Sequence, residues 1–128
     1  MKTEFNKYHS PFSHDELMEK CRKIRHVALD MDGTIYLGSQ LFPYTHGFLR
    51  DLEEMGIKYS FLTNNPTKSV EDYLAKLRKL GIEATPDEMY TSSVAAIDWL
   101  RDKMPEARNL YVVGTPSMEE EFRKAGFN

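Results

Sequence analysis

Residues 26–34 read His-Val-Ala-Leu-Asp-Met-Asp-Gly-Thr, and this stretch decides the fold prediction. Its first part is a short apolar run that ends at Asp30 and is followed by a second acid and a glycine. A short apolar run bounded in this way is typical of a buried strand in a parallel sheet. The stretch therefore predicts a strand over residues 26–30 and a turn at Gly33 directly after it.

Strand and helix patterns alternate along the chain on both sides of this stretch. Two helices with apolar stripes are each closed by a glycine, Gly56 and Gly81, as is common at helix ends. Two segments, Ser13–Glu16 and Ser117–Glu120, have the spacing of a capping box. The predicted helices cover residues 14–23, 48–55, 70–80, 93–103 and 117–125, and the further strands 57–62, 88–91 and 109–113.

This alternation predicts an α/β fold, a Rossmann-like parallel sheet flanked by helices. Parallel neighbours joined through helices form right-handed βαβ units, and ligands of such sheets bind beyond the carboxyl ends of the strands. The two polar clusters, residues 30–34 and 63–65, both fall at predicted strand ends. The pattern alone therefore predicts a ligand site at this edge of the sheet.

Composition limits the classes of function. The chain has 128 residues, 41% of them apolar and 29% charged, which is typical of one globular domain. A net charge of −3 gives no electrostatic footprint for nucleic acid, and no apolar run approaches the roughly 20 residues of a membrane span. The single cysteine, Cys21, fits a reducing compartment. We expect a cytoplasmic protein that binds neither nucleic acid nor membrane.

Asp30 and Asp32 are the first candidate site residues. Side chains two apart in a strand point to the same side, so the two carboxylates can converge beyond the sheet. Their mutual repulsion would be relieved by a hard divalent cation such as Mg²⁺, which prefers oxygen ligands. The alternative is a solvated Asp-Gly turn, which is a common feature of loops. Placement after a buried strand and before Thr34 favours the site.

Thr63 and Asn64 are the second group of candidates. A hydroxyl and an amide at a strand end can donate hydrogen bonds to phosphate oxygens. The alternative is a cap-and-turn segment ahead of Pro66. The predicted neighbour strand, with its two acids, favours a shared site for metal and phosphate.

Residues 29–36, Leu-Asp-Met-Asp-Gly-Thr-Ile-Tyr, closely resemble the first signature of haloacid dehalogenase phosphatases. Residues 61–65, Phe-Leu-Thr-Asn-Asn, resemble their second signature at the matching spacing. The resemblance covers about residues 24–128. Further segments are similar to the subgroup named for the sugar phosphatase NagD and for 4-nitrophenylphosphatase, namely residues 66–81, 90–93 and 110–114.

The resemblance implies hydrolysis of a small phosphorylated metabolite through an aspartyl-phosphate. Asp30 would attack phosphorus, and Asp32 would protonate the leaving oxygen and then activate water. Mg²⁺ would bind the Asp30 carboxylate and the backbone carbonyl of Asp32. Thr63 would hold the phosphoryl group, assisted by Asn64 and by the amides of Asp32 and Gly33.

The resemblance also implies a domain organisation. Residues 1–23 would be an arm and short helix, residues 24–92 the first half of the catalytic core, and residues 93–128 the start of an inserted α/β cap. Exposed sheet edges or the cap would then allow homo-oligomers.

Two further signatures of the family, a lysine and a Gly-Asp acidic pair, are not found after Thr63. Lys68, Lys76 and Lys79 are expected on the solvent side of their helix. We therefore expect an incomplete portion of the enzyme that is weakly active or inactive by itself.

Two other classes compete with the phosphatase. A receiver-like signalling module also has a parallel sheet and a phosphate-accepting aspartate, but places adjacent acids after its first strand and the acceptor after its third. This chain has Asp-x-Asp after the first and Thr-Ser-Ser after the third, which disfavours the receiver. A non-catalytic scaffold with the same fold is the remaining alternative.

Overall fold

The structure is a computed structural model that describes residues 10–128, and it has the predicted α/β architecture. A three-stranded parallel sheet is flanked by helices, and a short antiparallel hairpin lies beside it. In chain order the elements are α1 (His14–Arg22), β1 (His26–Asp30), β2 (Tyr36–Leu37), β3 (Gln40–Leu41), α2 (Thr45–Glu54), β4 (Lys58–Thr63), α3 (Val70–Lys79), a 3-10 turn (Pro86–Glu88), β5 (Met89–Thr91), α4 (Ser92–Lys103) and α5 (Pro116–Lys124).

The sheet has the strand order β1-β4-β5, and all three strands run in the same direction. The register pairs Asp30 with Leu62 across β1 and β4, and Thr63 with Thr91 across β4 and β5. The three strands therefore end at one edge of the sheet. This edge is where parallel α/β folds bind their ligands.

The main core lies on one face of the sheet. Leu29 and Phe61 from neighbouring strands pack with Leu49 of α2 and with Tyr73 and Leu77 of α3. On the opposite side of β1, His26, Ala28 and Asp30 are exposed. The prediction of a buried strand is thus correct for one face of β1, because α2 and α3 both contribute to the same cluster.

A second, smaller cluster is formed by the last part of the chain. Ile97 of α4 packs with Phe122 and Phe127, whose rings meet edge to face. This part is joined to α3 by hydrogen bonds: the Val70 N–H donates to Glu121 Oε1 at 3.0 Å. The Thr115 hydroxyl donates to the Thr67 carbonyl at 3.2 Å. The start of α3 and the loop before it are therefore both tied to the region of α5.

Several predicted boundaries are confirmed by the helices. Ser13 and Glu16 form the predicted capping box of α1, and Gly56 and Gly81 follow α2 and α3 with positive φ. The capping prediction for Ser117 is wrong, because Thr115 caps α5 and accepts from the Met118 N–H at 3.3 Å. Of the predicted N-terminal arm, residues 1–9 lie outside the described residues.

The predicted strand at residues 109–113 is not formed. A strand needs a ladder of backbone hydrogen bonds, and in residues 10–128 this segment makes one such bond. The Leu110 N–H donates to the Asn128 carbonyl at 2.8 Å, and the Asn128 N–H donates to the Arg108 carbonyl at 2.7 Å. Tyr111 and Val113 consequently stay 95% and 85% exposed.

Within residues 10–128, no helix has both the length and the apolar composition that a membrane crossing requires.

Replacement of Phe61 by Ala should lower the free energy of unfolding by about 3–5 kcal/mol, because it empties the centre of the main core. Phe61 is 0% exposed in the middle strand of the sheet. Urea unfolding followed by circular dichroism measures the change. Met55→Ala is the control, since Met55 is 63% exposed and should change stability by less than about 0.5 kcal/mol. Similar losses for both variants would contradict this core.

Candidate functional site

The first part of the site is the turn that follows β1. Met31 is fully buried, while Asp30 and Asp32 on either side of it are exposed. The buried methionine anchors the chain in the core, so the two acids both lie on the solvent side of this turn. The Thr34 hydroxyl approaches Asp30 Oδ2 at 3.4 Å.

Gly33 makes this turn possible. Its φ of 80° lies in the left-handed region, where a side chain would be strained. The Gly33 N–H donates to the Tyr36 carbonyl at 2.8 Å, and the N–H groups of Thr34 and Ile35 both donate to Met31 O, at 3.1 and 3.0 Å. These bonds hold the acids beside the hairpin of β2 and β3.

Thr63, at the end of β4, forms the second part of the site. Its hydroxyl accepts from the Asn65 N–H at 3.2 Å and lies 3.5 Å from the Tyr73 hydroxyl, which in turn is 3.4 Å from the Asn65 carbonyl. Contacts of 3.4–3.5 Å are long for hydroxyl hydrogen bonds. The Thr63 hydroxyl can therefore donate to a stronger acceptor instead of to Tyr73.

One cavity brings several of the predicted residues together at the carboxyl edge of the sheet. Its volume is about 390 Å³, and Asp30, Thr63 and Asn64 all line it. Asp32 and Gly33 are not among its lining residues. The rest of its wall is Leu62, Tyr90, Thr91, Ser92 and Ala95.

Ser92 is a polar member of this wall that the sequence analysis did not assign. It is the first residue of α4, and its hydroxyl oxygen is buried without a hydrogen-bond partner in residues 10–128. Nothing in the sequence marks Ser92 above its neighbour Ser93, because both are small hydroxyl residues at a helix start. Only the direction of the helix places Ser92 in the cavity.

Two tyrosines lie behind the acids. Tyr36 is fully buried, and its hydroxyl has no hydrogen-bond partner among the described residues. Burial raises the pKa of Tyr36, and the charges of Asp32 and Asp30 add to the effect. Burial also raises the pKa of Tyr73, against an opposing contribution from the Thr63 hydroxyl. Both phenols therefore stay protonated at neutral pH and remain hydrogen-bond donors.

Two lysines of the α3 region belong to this cluster, which corrects the expected solvent position of Lys68 and Lys76. Lys76 Nζ lies 3.8 Å from the centroid of the Tyr36 ring, and Lys68 Nζ lies 5.9 Å from that of Tyr73. Both side chains are half-buried, whereas Lys79 is exposed as expected.

The residues present fit a hard cation. Within residues 10–128, no group of three or more His, Cys, Asp or Glu side chains could hold a metal ion. Mg²⁺ does not need such a group, because it commonly uses one or two carboxylates and keeps water and substrate oxygens as its other ligands. The exposed pair Asp30 and Asp32 is of this kind. Fold and site together define an α/β protein with an acid-bearing ligand site at the carboxyl edge of a parallel sheet.

Comparison with known proteins gives the family. The profile of the haloacid dehalogenase-like hydrolases matches residues 27–128, and the chain belongs to this family. An acid sugar phosphatase of Staphylococcus aureus (strain USA300) is 34% identical over 98 residues, which cover 77% of this chain and 38% of that protein.

Solved structures show the same fold. A 4-nitrophenylphosphatase from Thermotoga maritima superposes with a TM-score of 0.78 at 33% identity, over 84% of this chain and 41% of that one. NagD from Escherichia coli K-12 gives a TM-score of 0.71 at 30% identity, over 82% and 41%. The chain thus spans well under half the length of the relatives that it matches.

Replacement of Tyr36 by Phe should leave the free energy of unfolding unchanged or raise it by up to about 1 kcal/mol. It removes a buried hydroxyl that finds no hydrogen-bond partner in the described part of the chain, and such groups cost free energy on folding. Tyr59→Phe is the matched comparison, because the Tyr59 hydroxyl donates to Glu53 Oε1 at 2.8 Å. That variant should lose about 1 kcal/mol. Denaturant unfolding compares the two, and a clear loss for Tyr36→Phe would show that its hydroxyl is bonded in the folded protein.

Proposed function

We propose that this chain carries the phosphate-accepting residues of a Mg²⁺-dependent phosphate monoester hydrolase that works through an aspartyl-phosphate. The observation that supports this most strongly is the cavity at the carboxyl edge of the sheet, which Asp30, Thr63 and Asn64 line together. A carboxylate nucleophile and donors for phosphate oxygens are the minimum set for transfer of a phosphoryl group to protein.

Asp30 is the proposed nucleophile. Its carboxylate is exposed at the end of β1 and lines the cavity, so a phosphate ester can approach it. One carboxylate oxygen forms a bond to phosphorus while the bond from phosphorus to the ester oxygen breaks, which leaves an acyl phosphate on Asp30. Thr34, 3.4 Å from Asp30 Oδ2, limits the rotation of the carboxylate.

Asp32 is the proposed general acid and base. In the first step its carboxyl group gives a proton to the departing alcohol oxygen, so the alcohol leaves neutral. In the second step its carboxylate takes a proton from water, which attacks phosphorus, releases inorganic phosphate and restores Asp30. The exposure of Asp32 on the same side of the turn as Asp30 supports this role.

Thr63, Asn64 and the amides of Asp32 and Gly33 are the proposed donors to the transferring phosphoryl group. Thr63 is 7% exposed and its hydroxyl oxygen accepts from the Asn65 N–H at 3.2 Å, so this oxygen is positioned before substrate binds. Donors that are fixed in advance stabilise transferred charge without reorganising. Asp32 and Gly33 do not line the cavity, so their amides would have to reach the phosphoryl group from its rim.

Asp30 and Asp32 would hold the magnesium ion, Asp30 through its carboxylate and Asp32 through its backbone carbonyl. When bound, the ion would neutralise charge on the carboxylate and phosphate. The carboxylate pair, and the absence from residues 10–128 of any group of three or more His, Cys, Asp or Glu side chains that could hold a metal, favour Mg²⁺ over zinc.

The proposed substrate is a small phosphorylated metabolite, as the names of the acid sugar phosphatase and nitrophenylphosphatase relatives suggest. Residues 1–23 are proposed as an arm and short helix, residues 24–92 as the first part of the catalytic core, and residues 93–128 as the beginning of a cap. The two separate core clusters support a boundary between the last two. We also propose self-association, either through exposed sheet edges or through the cap.

Binding of beryllium fluoride, which mimics an aspartyl-phosphate, tests this function without requiring turnover. In the presence of Mg²⁺, we expect fluorine NMR to show a bound signal for the wild-type chain and none for Asp30→Asn. The variant cannot form the oxygen–beryllium bond and also loses a proposed metal ligand.

Asp51→Asn is the control, because Asp51 is an exposed acid on α2 and the substitution makes the same change in charge. It should bind as the wild type does. Equal binding by wild type and Asp30→Asn would reject the nucleophile and favour a non-catalytic scaffold with this fold.

The chain itself should hydrolyse 4-nitrophenyl phosphate feebly or not at all with Mg²⁺, because two of the four signatures of the family are not found in it. Release of 4-nitrophenol, measured by absorbance, gives the rate. Turnover at an ordinary enzymatic rate, about 1 per second or more, would show that the residues described here suffice.

A further inference from the structure

Lys76 has an unusual place for a lysine of an amphipathic helix. Its ammonium group stands 3.8 Å above the centroid of the Tyr36 ring, which is itself fully buried. The negative face of an aromatic ring attracts a cation, so this contact fixes the position of the charge. Within residues 10–128, Lys76 has no carboxylate within 4.0 Å and therefore keeps its charge uncompensated by an ion pair.

The same ring connects Lys76 with the acids of the site. Asp32 and Tyr36 form a bridge between their backbones, and the Tyr36 carbonyl accepts from the Gly33 N–H at 2.8 Å. The charge of Asp32 also acts on Lys76: burial and the charge of Lys68 lower the pKa of Lys76, and Asp32 opposes them. Lys76 is thus within electrostatic reach of the acid motif without touching it.

Lys68 repeats this arrangement on the second tyrosine. Its ammonium lies 5.9 Å from the centroid of the Tyr73 ring, and the Tyr73 hydroxyl is the group that contacts Thr63. Each lysine therefore rests on a ring that supports one half of the site, Tyr36 for the acids and Tyr73 for the threonine. The two positive charges lie on the helix side of the site and affect each other.

We propose that Lys76, held on the Tyr36 ring with Lys68 beside it, is an electrostatic positioning residue of the site, where it strengthens binding of a phosphate oxyanion and weakens binding of the metal cation. This role rests on the proposed function. It assigns to α3 a positive charge that acts through the field at Asp30 and Asp32 rather than by contact with the ligand.

The proposed role has opposite effects on the affinities for the two ligands. A fixed positive charge attracts the phosphate and repels Mg²⁺, whereas loss of packing at Tyr36 would weaken both. For a half-buried lysine and exposed acids that lie beyond the 4.0 Å of an ion pair, the Coulomb interaction corresponds to a change of about threefold to tenfold in affinity. Added salt should reduce it, because exposed charges are screened within about 10 Å at 0.1 M.

Isothermal titration calorimetry on the 128-residue chain tests the proposal with inorganic vanadate and Mg²⁺ as the probes. Vanadate affinity is measured in the presence of saturating Mg²⁺, and Mg²⁺ affinity is measured in the absence of vanadate. Lys76→Met should bind vanadate about threefold to tenfold more weakly and Mg²⁺ about twofold to fivefold more tightly than the wild type. Lys76→Arg, which keeps the charge, should resemble the wild type for both probes.

Lys79→Met is the matched control, since Lys79 lies three residues further along the same helix and is exposed. It should change either affinity by less than about twofold. If Lys76→Met weakens both probes, or behaves as Lys79→Met does, the electrostatic role is wrong. If the wild-type chain binds neither probe, the proposed function fails together with this inference.

Discussion

The site depends on the parallel pairing of β1 with β4. This register places Asp30 beside Leu62, so the acid motif that ends one strand lies next to the Thr63 segment that ends the other. Asp30 and Thr63 lie 33 positions apart in the sequence (63 − 30), and the parallel ladder of β1 and β4 brings them together. A shift of either strand by one residue would turn Leu29 or Phe61 away from the core, and burial of both side chains therefore fixes the register.

Behind this edge, aromatic and cationic groups form a second layer. Tyr36 and Tyr73 are almost completely buried, yet each presents a hydroxyl or a ring face to groups at the site. The lysines stand on the outer faces of the rings and retain partial contact with solvent. Packing and charge are therefore supplied by the same few residues.

The sequence was informative where local chemistry decides the structure. The apolar run before Asp30, the stripe on α3 and the capping box at Ser13 each depend on neighbours within a few residues, and the structure confirms all three elements. The expected convergence of strand ends followed from the rules of parallel sheets. The residues that line the cavity were predictable to the extent that Asp30, Thr63 and Asn64 are strand-end residues.

Other features could not be read from the sequence because they depend on distant partners. The β2–β3 hairpin has two residues per strand, too few to show an alternating pattern. Residues 109–113 have strand composition but little pairing in the described part of the chain. Thr115 and Ser117 compete as caps of α5, and the path of the preceding loop selects Thr115. Lys76 lies at the border of an apolar stripe, where only the position of Tyr36 decides which way it turns.

A crystal structure of the chain grown with magnesium and vanadate would test the shared edge of the sheet most directly. We expect one vanadate in the cavity at the ends of β1 and β4, with an Asp30 carboxylate oxygen and the Thr63 hydroxyl both within hydrogen-bonding or bonding distance of it. Vanadate bound elsewhere, or Asp30 and Thr63 on separate sites with the two strands apart, would contradict this expectation.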